Sequence, residues 1–175
     1  MTGTSLPMNP VHRHIPLLAR HAGVWEGEYT HIAPDRSIQE QQLFRILVEL
    51  PDAGPVAYRQ TSHYWWDDGR TQQLMYEGAY RDGRIVIDNG RIHGACWQVD
   101  DLTLYIRFAF HAEPAGYVCE MIQLSPDGAH RARTWHWFRD HVLWRITIVR
   151  EHRVGLDPAL FTQRAGAPPG LEWRP

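Results

Sequence analysis

Cysteine is scarce: only Cys96 and Cys119 occur in 175 residues, far apart and without a CxxC pair. That argues against a disulfide scaffold and against a cysteine-based zinc or iron–sulfur centre, leaving buried free thiols in a reducing compartment as the expectation. No run approaches the roughly 20 apolar residues of a transmembrane helix. The opening MTGTSLPMNPVHRHIPLLAR has neither a basic start nor an unbroken apolar stretch, so no signal peptide is expected and a cytoplasmic protein is. Charge of one sign is lacking too, since 18 Lys+Arg against 20 Asp+Glu leave a net charge of -2. Nothing in that balance attracts nucleic acid or a membrane, even though Arg131, Arg133, Trp135 and Trp137 interleave basic and aromatic groups on one strand face. Motifs of the GxGxxG, Walker A, GxSxG and HExxH types are missing, so nucleotide, phosphate and serine-hydrolase chemistry have no positive case. His12 and His14 lack a third partner, and His130 and His136 sit too far apart along one strand to share an ion. No metal and no cofactor are expected.

What is present is aromatic: 8 Trp, 7 Tyr and 5 Phe beside 11 His, enough for a filled core, an interface or the wall of a pocket. The length suits one domain. After a short helix near residues 10–20, with Pro10 at its start and Leu17, Leu18 and Ala19 as its apolar patch, the period changes to two. WEGEYTHI sets Trp25, Gly27, Tyr29 and His31 on one face, and LTLYIRFAF sets Leu102, Leu104, Ile106, Phe108 and Phe110 against Thr103, Tyr105 and Arg107. Asp-Gly at 68–69 and 82–83 and Asn-Gly at 89–90 are hairpin signals. About ten strands follow one another through short turns, with no helix long enough for a parallel crossover, and closure into a barrel is the simplest way to hide the edges. The barrel is expected over residues 1–156 and a Pro/Gly/Ala-rich tail over 157–175, in which Phe161 and Trp173 can clip the tail to the barrel or join a homodimer.

Gly23, Trp25, Gly27 and Tyr29 form a G-x-W-x-G-x-Y pattern that resembles the first strand of lipocalin-like, or calycin, barrels. The hairpins YRQTSHYWWDDGR and CEMIQLSPDGAHRARTWHWF resemble a bacterial group of such lipocalin-like proteins, and the likeness extends over about residues 15–154. It implies an all-β antiparallel barrel of about 8–10 strands, a Trp that closes the bottom, and a glycine where the first strand bends. The signal peptide and disulfides of secreted lipocalins are not expected here. Heme-binding nitrobindins are similar at the first strand but use a proximal histidine near the C-terminus, for which His141 and His152 are loose positional matches.

A barrel of this size can hold one small ligand. With Trp25 inward, Tyr29 and His31 follow; His31 and His63 are candidate proton carriers, Tyr29 and Tyr76 candidate donors to an oxyanion, and Arg107 or Arg133 a fork for a carboxylate or phenolate. Glu120 is the expected partner of one of those arginines. The candidate catalytic set is thus His31, Tyr29, His63 and Glu120, and the substrate-binding set Trp65, Tyr76, Trp97, Arg107, Arg133 and Trp135. Two functions fit: a cofactor-independent lyase, isomerase or cyclase acting by acid/base chemistry on a small oxygenated or aromatic molecule, and a carrier that binds such a molecule unchanged.

Overall fold

Ten runs of alternating side chains become ten antiparallel strands in the computed structural model, which describes residues 8–164 and 166–168. They are β1 (Gly23–Ile32), β2 (Ile38–Glu49), β3 (Tyr58–Trp65), β4 (Thr71–Arg81), β5 (Arg84–Asp88), β6 (Ile92–Gln98), β7 (Thr103–Phe110), β8 (Glu113–Leu124), β9 (His130–Arg139) and β10 (Val142–Gly155). Each pairs with its neighbours in sequence, and β1 also pairs with β10, so the sheet closes on itself as a calycin-like barrel. Closure leaves no edge strand to template further pairing.

Turn chemistry fixes the hairpins. Asp82 and Gly83 carry φ of 47° and 76°, the two positive values that a type I′ turn requires. Asp140 and His141 make the same excursion, at 49° and 63°, without a glycine. The connection from β7 to β8 is short, because β8 already begins at Glu113. Pro114 has no N–H to give, and a register shift between Ala109 and Phe110 accommodates it.

The expected helix over 10–20 is two short ones, α1 (Pro10–His14) and α2 (Pro16–Ala19). Pro16 is the reason, since a proline pushes the residue before it out of the helical region, and Ile15 sits at φ −136°, ψ 63°. Asn9 caps α1 by accepting from the Val11 N–H at 2.9 Å, while its amide donates to the carbonyls of Pro51 and Ala57. Val11, Ile15, Leu17 and Leu18 are buried and plug one end of the barrel.

Gly27 is fixed by space. A Cβ there would stand 2.1 Å from the Arg150 carbonyl oxygen and 2.8 Å from Phe44 Cζ, so only glycine lets β2 and β10 approach β1 this closely. Within the expected tail, α3 (Ala159–Gln163) packs against β2 with Phe161 half-buried. Arg164 after it reaches Glu26 at 3.3 Å, and Glu26 is also held by Arg45 at 2.7 Å, on the outer face of β1. Residues 169–175, Trp173 among them, lie outside the described residues.

Candidate ligand chamber

Parity along β1 sends Trp25, Gly27, Tyr29 and His31 inward, and the depth of each follows from its place on the strand. Trp25 is wholly buried beside the helical plug, where its indole N–H donates to the His21 carbonyl at 2.9 Å. The guanidinium carbons of Arg131 and Arg153 each lie 4.2 Å from its ring centre. Above this floor opens a cavity of about 190 Å³. Its wall is aromatic and aliphatic, with Tyr58, Tyr64, Tyr76, Ile85, Ile106 and Phe108 among its members. His31, Gln42, Gln72, Phe110 and Trp137 line the same cavity, and His31 stands on β1 at the end away from the plug.

Four charges are buried in this interior. Arg133 Nε lies 2.5 Å from Glu120 Oε1, and Arg131 Nε lies 2.7 Å from Glu151 Oε1. A longer 3.6 Å contact from Arg133 to Glu151 joins the two pairs. Burial pushes the Glu120 carboxyl up from the ordinary carboxylate range, and Arg133 opposes that rise. Burial alone would lower Arg133, but Glu120, Tyr29 and Glu151 raise it well above the usual value. His21, buried among Arg131, Arg133 and Arg153, is held well below the usual histidine range, burial being the larger cause. Removing one member of such a network would strand a buried charge.

His31 is a different chemical object from the near-neutral proton carrier that sequence suggests. Burial, with help from Arg145, lowers its pKa to about 4 against the opposing pull of Glu40 and Gln42. Its Nδ1 shares a 2.8 Å hydrogen bond with Thr147 Oγ1, which also accepts from the Trp137 indole N–H at 2.8 Å. The imidazole is therefore neutral and orientationally fixed at neutral pH. Tyr29 is held well above the ordinary phenol value by burial, so it remains a protonated hydroxyl. Cys96 also lines the cavity, its thiol pushed up to about 12 by burial and hence inert as a nucleophile.

Of the ten residues singled out from sequence, the cavity brings together Tyr29, His31, Glu120, Tyr76, Arg133 and Trp135. The other four do not line it. On β3 the inward set is Tyr58, Gln60 and Tyr64, so His63 and Trp65 turn outward and stack on one another with ring centres 4.0 Å apart. Trp97 alternates with the cavity-lining Cys96 and meets Tyr105 on the outside, with Arg84 over its ring. Arg107 alternates with Ile106 and Phe108 and lies over Tyr117 on the outer face. The expected Glu120 partner is Arg133. Cys119 is only half-buried, on the outer face of β8. Sequence reasoning missed Arg131 with Glu151, Tyr58 with Tyr64, and Gln42. Arg131 shares the face of Arg133, a signal that was available; nothing marks Tyr58 and Tyr64 beyond their alternation.

Among the described residues no cluster of three His, Cys, Asp or Glu could hold a metal ion, and no helix is long and apolar enough to cross a membrane. A family model described as "Domain of unknown function (DUF3598), N-terminal" matches residues 12–156. None of the curated proteins matches the chain. Among solved structures, a DUF3598-family protein of unknown function from Nostoc punctiforme is 17% identical with a TM-score of 0.60; the match covers 88% of this chain but only 54% of that one. An S-type phycobiliprotein lyase, CPES, from Guillardia theta is 13% identical with a TM-score of 0.63, covering 81% of this chain and 92% of that one. Rv2717c from M. tuberculosis is 12% identical with a TM-score of 0.57, covering 82% and 98%. At these identities the likeness is one of fold.

Proposed function

The chain belongs to the DUF3598 family, and from that premise we propose that its barrel is a receptor for one small, planar, oxygenated organic molecule. The observation that carries this reading is the aromatic-walled cavity of about 190 Å³ beside a buried polar network. A dry apolar cavity of roughly 150 Å³ is enough to bind benzene. This one has room for a substituted ring, and a larger ligand must project past His31 and Trp137. Polar groups placed among rings orient such a ligand, whereas a carrier of plain hydrocarbon would gain nothing from burying them.

Binding suits the geometry better than turnover, because the ionisable groups are already engaged: Glu120 with Arg133, Glu151 with Arg131, and His31 Nδ1 with Thr147. Acid/base catalysis as an isomerase, lyase or cyclase is the second reading. It draws on His31, whose neutral ring on the cavity wall can accept a proton, and on the Tyr29 hydroxyl. The likeness to a phycobiliprotein lyase transfers no activity.

Thermal-shift and Trp-fluorescence titrations with small phenolic and enolisable compounds test the receptor. At least one class should raise the melting temperature in the wild type and fail to do so in Cys96→Phe, which fills the cavity. Compounds that bind equally well to both proteins would place binding elsewhere and overturn the proposal. Product analysis of the same mixtures decides between the readings: turnover that falls by roughly 10²–10⁴ in His31→Gln would establish the enzyme.

A further inference from the structure

Most buried polar atoms of this barrel are satisfied by protein groups, and the exceptions cluster. Among the described residues, eight buried side-chain nitrogens and oxygens make no hydrogen bond to the protein. Two of them, Arg131 Nε and Glu151 Oε1, face each other as an ion pair at 2.7 Å. Glu26 Oε2 lies on the outer face, and Trp66 Nε1 belongs to a residue outside the cavity wall. The remaining four, His21 Nε2, Tyr29 Oη, Gln42 Oε1 and Trp135 Nε1, all belong to residues that line the cavity.

Tyr29 and Trp135 stand beside the Arg133–Glu120 pair. Their rings meet edge to face, 5.6 Å between centres, with Arg133 over both. The Tyr29 and Tyr64 hydroxyls are near neighbours, and the Trp135 indole is near enough to Glu120 to favour its ionised form, yet neither contact closes as an ordinary hydrogen bond. Two buried donors thus remain open on one wall, and a buried donor without a partner is costly enough that an acceptor supplied there binds with real gain.

Charge decides what kind of acceptor fits. Arg131 and Arg133 are balanced in charge by Glu120 and Glu151, with Arg133 Nε donating to Glu120, Arg131 Nη2 to Glu151 and Arg131 Nη1 to His21. A carboxylate or phenolate bound beside them would meet no uncompensated buried cation among the described residues and would add an unpaired charge to a balanced network; Arg91, which also lines the cavity, is exposed, so its charge is screened by water. The expectation of an arginine fork for an anion is therefore replaced by a neutral contact.

Resting on the receptor reading above, we propose that the chamber selects uncharged carbonyl-bearing aromatic ligands, their oxygen accepting from the Tyr29 hydroxyl and the Trp135 indole N–H and their ring lying among the tyrosine and phenylalanine side chains. The class is aryl ketones, aldehydes and lactones, and it excludes aryl carboxylates.

Acetophenone, cumene and benzoate share one ring and one branch of the same size, and differ in that the first carries a neutral acceptor, the second none and the third a charge. Titrated at neutral pH into ¹⁵N-labelled protein, acetophenone should bind about tenfold or more tighter than cumene and shift the indole N–H resonance that Trp135→Phe removes. Tyr29→Phe and Trp135→Phe should each bring acetophenone down to the affinity of cumene while leaving cumene within about twofold, a split that general loosening of the fold would not produce. Benzoate should not bind at matched concentrations. Equal binding of acetophenone and cumene, tightest binding by benzoate, or an unchanged preference in Tyr29→Phe would overturn the selectivity while leaving the receptor standing. Failure of both neutral probes to bind the wild type would overturn the receptor reading and this inference together.

Discussion

Arg133 and Glu120 meet at 2.5 Å on neighbouring strands, with side chains only 5% and 2% exposed, so each is the other's main compensation for leaving water. Replacing Arg133 by Met leaves Glu120 buried without its partner and should cost about 3–5 kcal/mol. The double variant Glu120→Met/Arg133→Met should recover much of that loss, because two apolar chains of similar volume carry no desolvation penalty. Urea unfolding of the two single variants and the double gives the coupling directly, and strictly additive losses would show that the pair is uncoupled.

Trp25 fills the floor between the helical plug and two guanidinium groups. Trp25→Ala should lower stability by about 3–5 kcal/mol through lost burial and the cavity left behind. A denaturation midpoint equal to that of the wild type would mean the floor is supported by something else.

The clash at Gly27 is with backbone as well as side chains, so it cannot be relieved by a rotamer change. Gly27→Ala should cost about 1–3 kcal/mol, although the same change at an unconstrained strand position would be neutral or favourable. Calorimetric melting of the variant measures it.

In the opposite direction, His141→Gly should stabilise by about 0.5–1 kcal/mol, because a side chain is being relieved of a left-handed conformation that glycine adopts freely. A lower melting temperature would show that the contact of His141 with Tyr117 outweighs the strain.

Folding should also become weaker as acid is added. His31 titrates at about 4 in the fold against 6.5 for an unperturbed histidine, so the unfolded chain binds more protons between those values. Its contribution is complete above pH 6.5, is lost as pH falls toward 4, and amounts to on the order of 3 kcal/mol at most. His21 acts with the same sign. The stability difference between pH 7.5 and pH 4.5 should therefore shrink, without vanishing, in His31→Gln, and an undiminished difference would count against this assignment.

The strands were legible because alternation and turn chemistry agree along most of the chain: LTLYIRFAF shows its inner face outright, and Asp82-Gly83 names its own turn. The same alternation already set Arg107 opposite Phe108, so its place outside the chamber was readable from β7 itself. His63, Trp65 and Trp97 were harder. Both faces of β3 mix aromatic and polar groups, and Trp97 is a large ring spent on an outside stack, so size and hydrophobicity point the wrong way. What no one-dimensional pattern carries is the pairing across strands, which brings Glu151 of β10 to Arg131 of β9 and lets burial displace the titration of His31.

Nine of the ten strand pairings join consecutive segments, and one, between β1 and β10, joins the first to the last. That single pairing carries a large share of the loop-closure entropy, so it belongs to the slow, topology-limited part of folding, on a timescale of roughly milliseconds to seconds. On the ribosome it must wait for Arg153 to emerge before Trp25 has its partner across the seam. Until then the nascent sheet has two free edges and no floor, so the step that protects the chain from edge-to-edge aggregation is the same step that creates its interior.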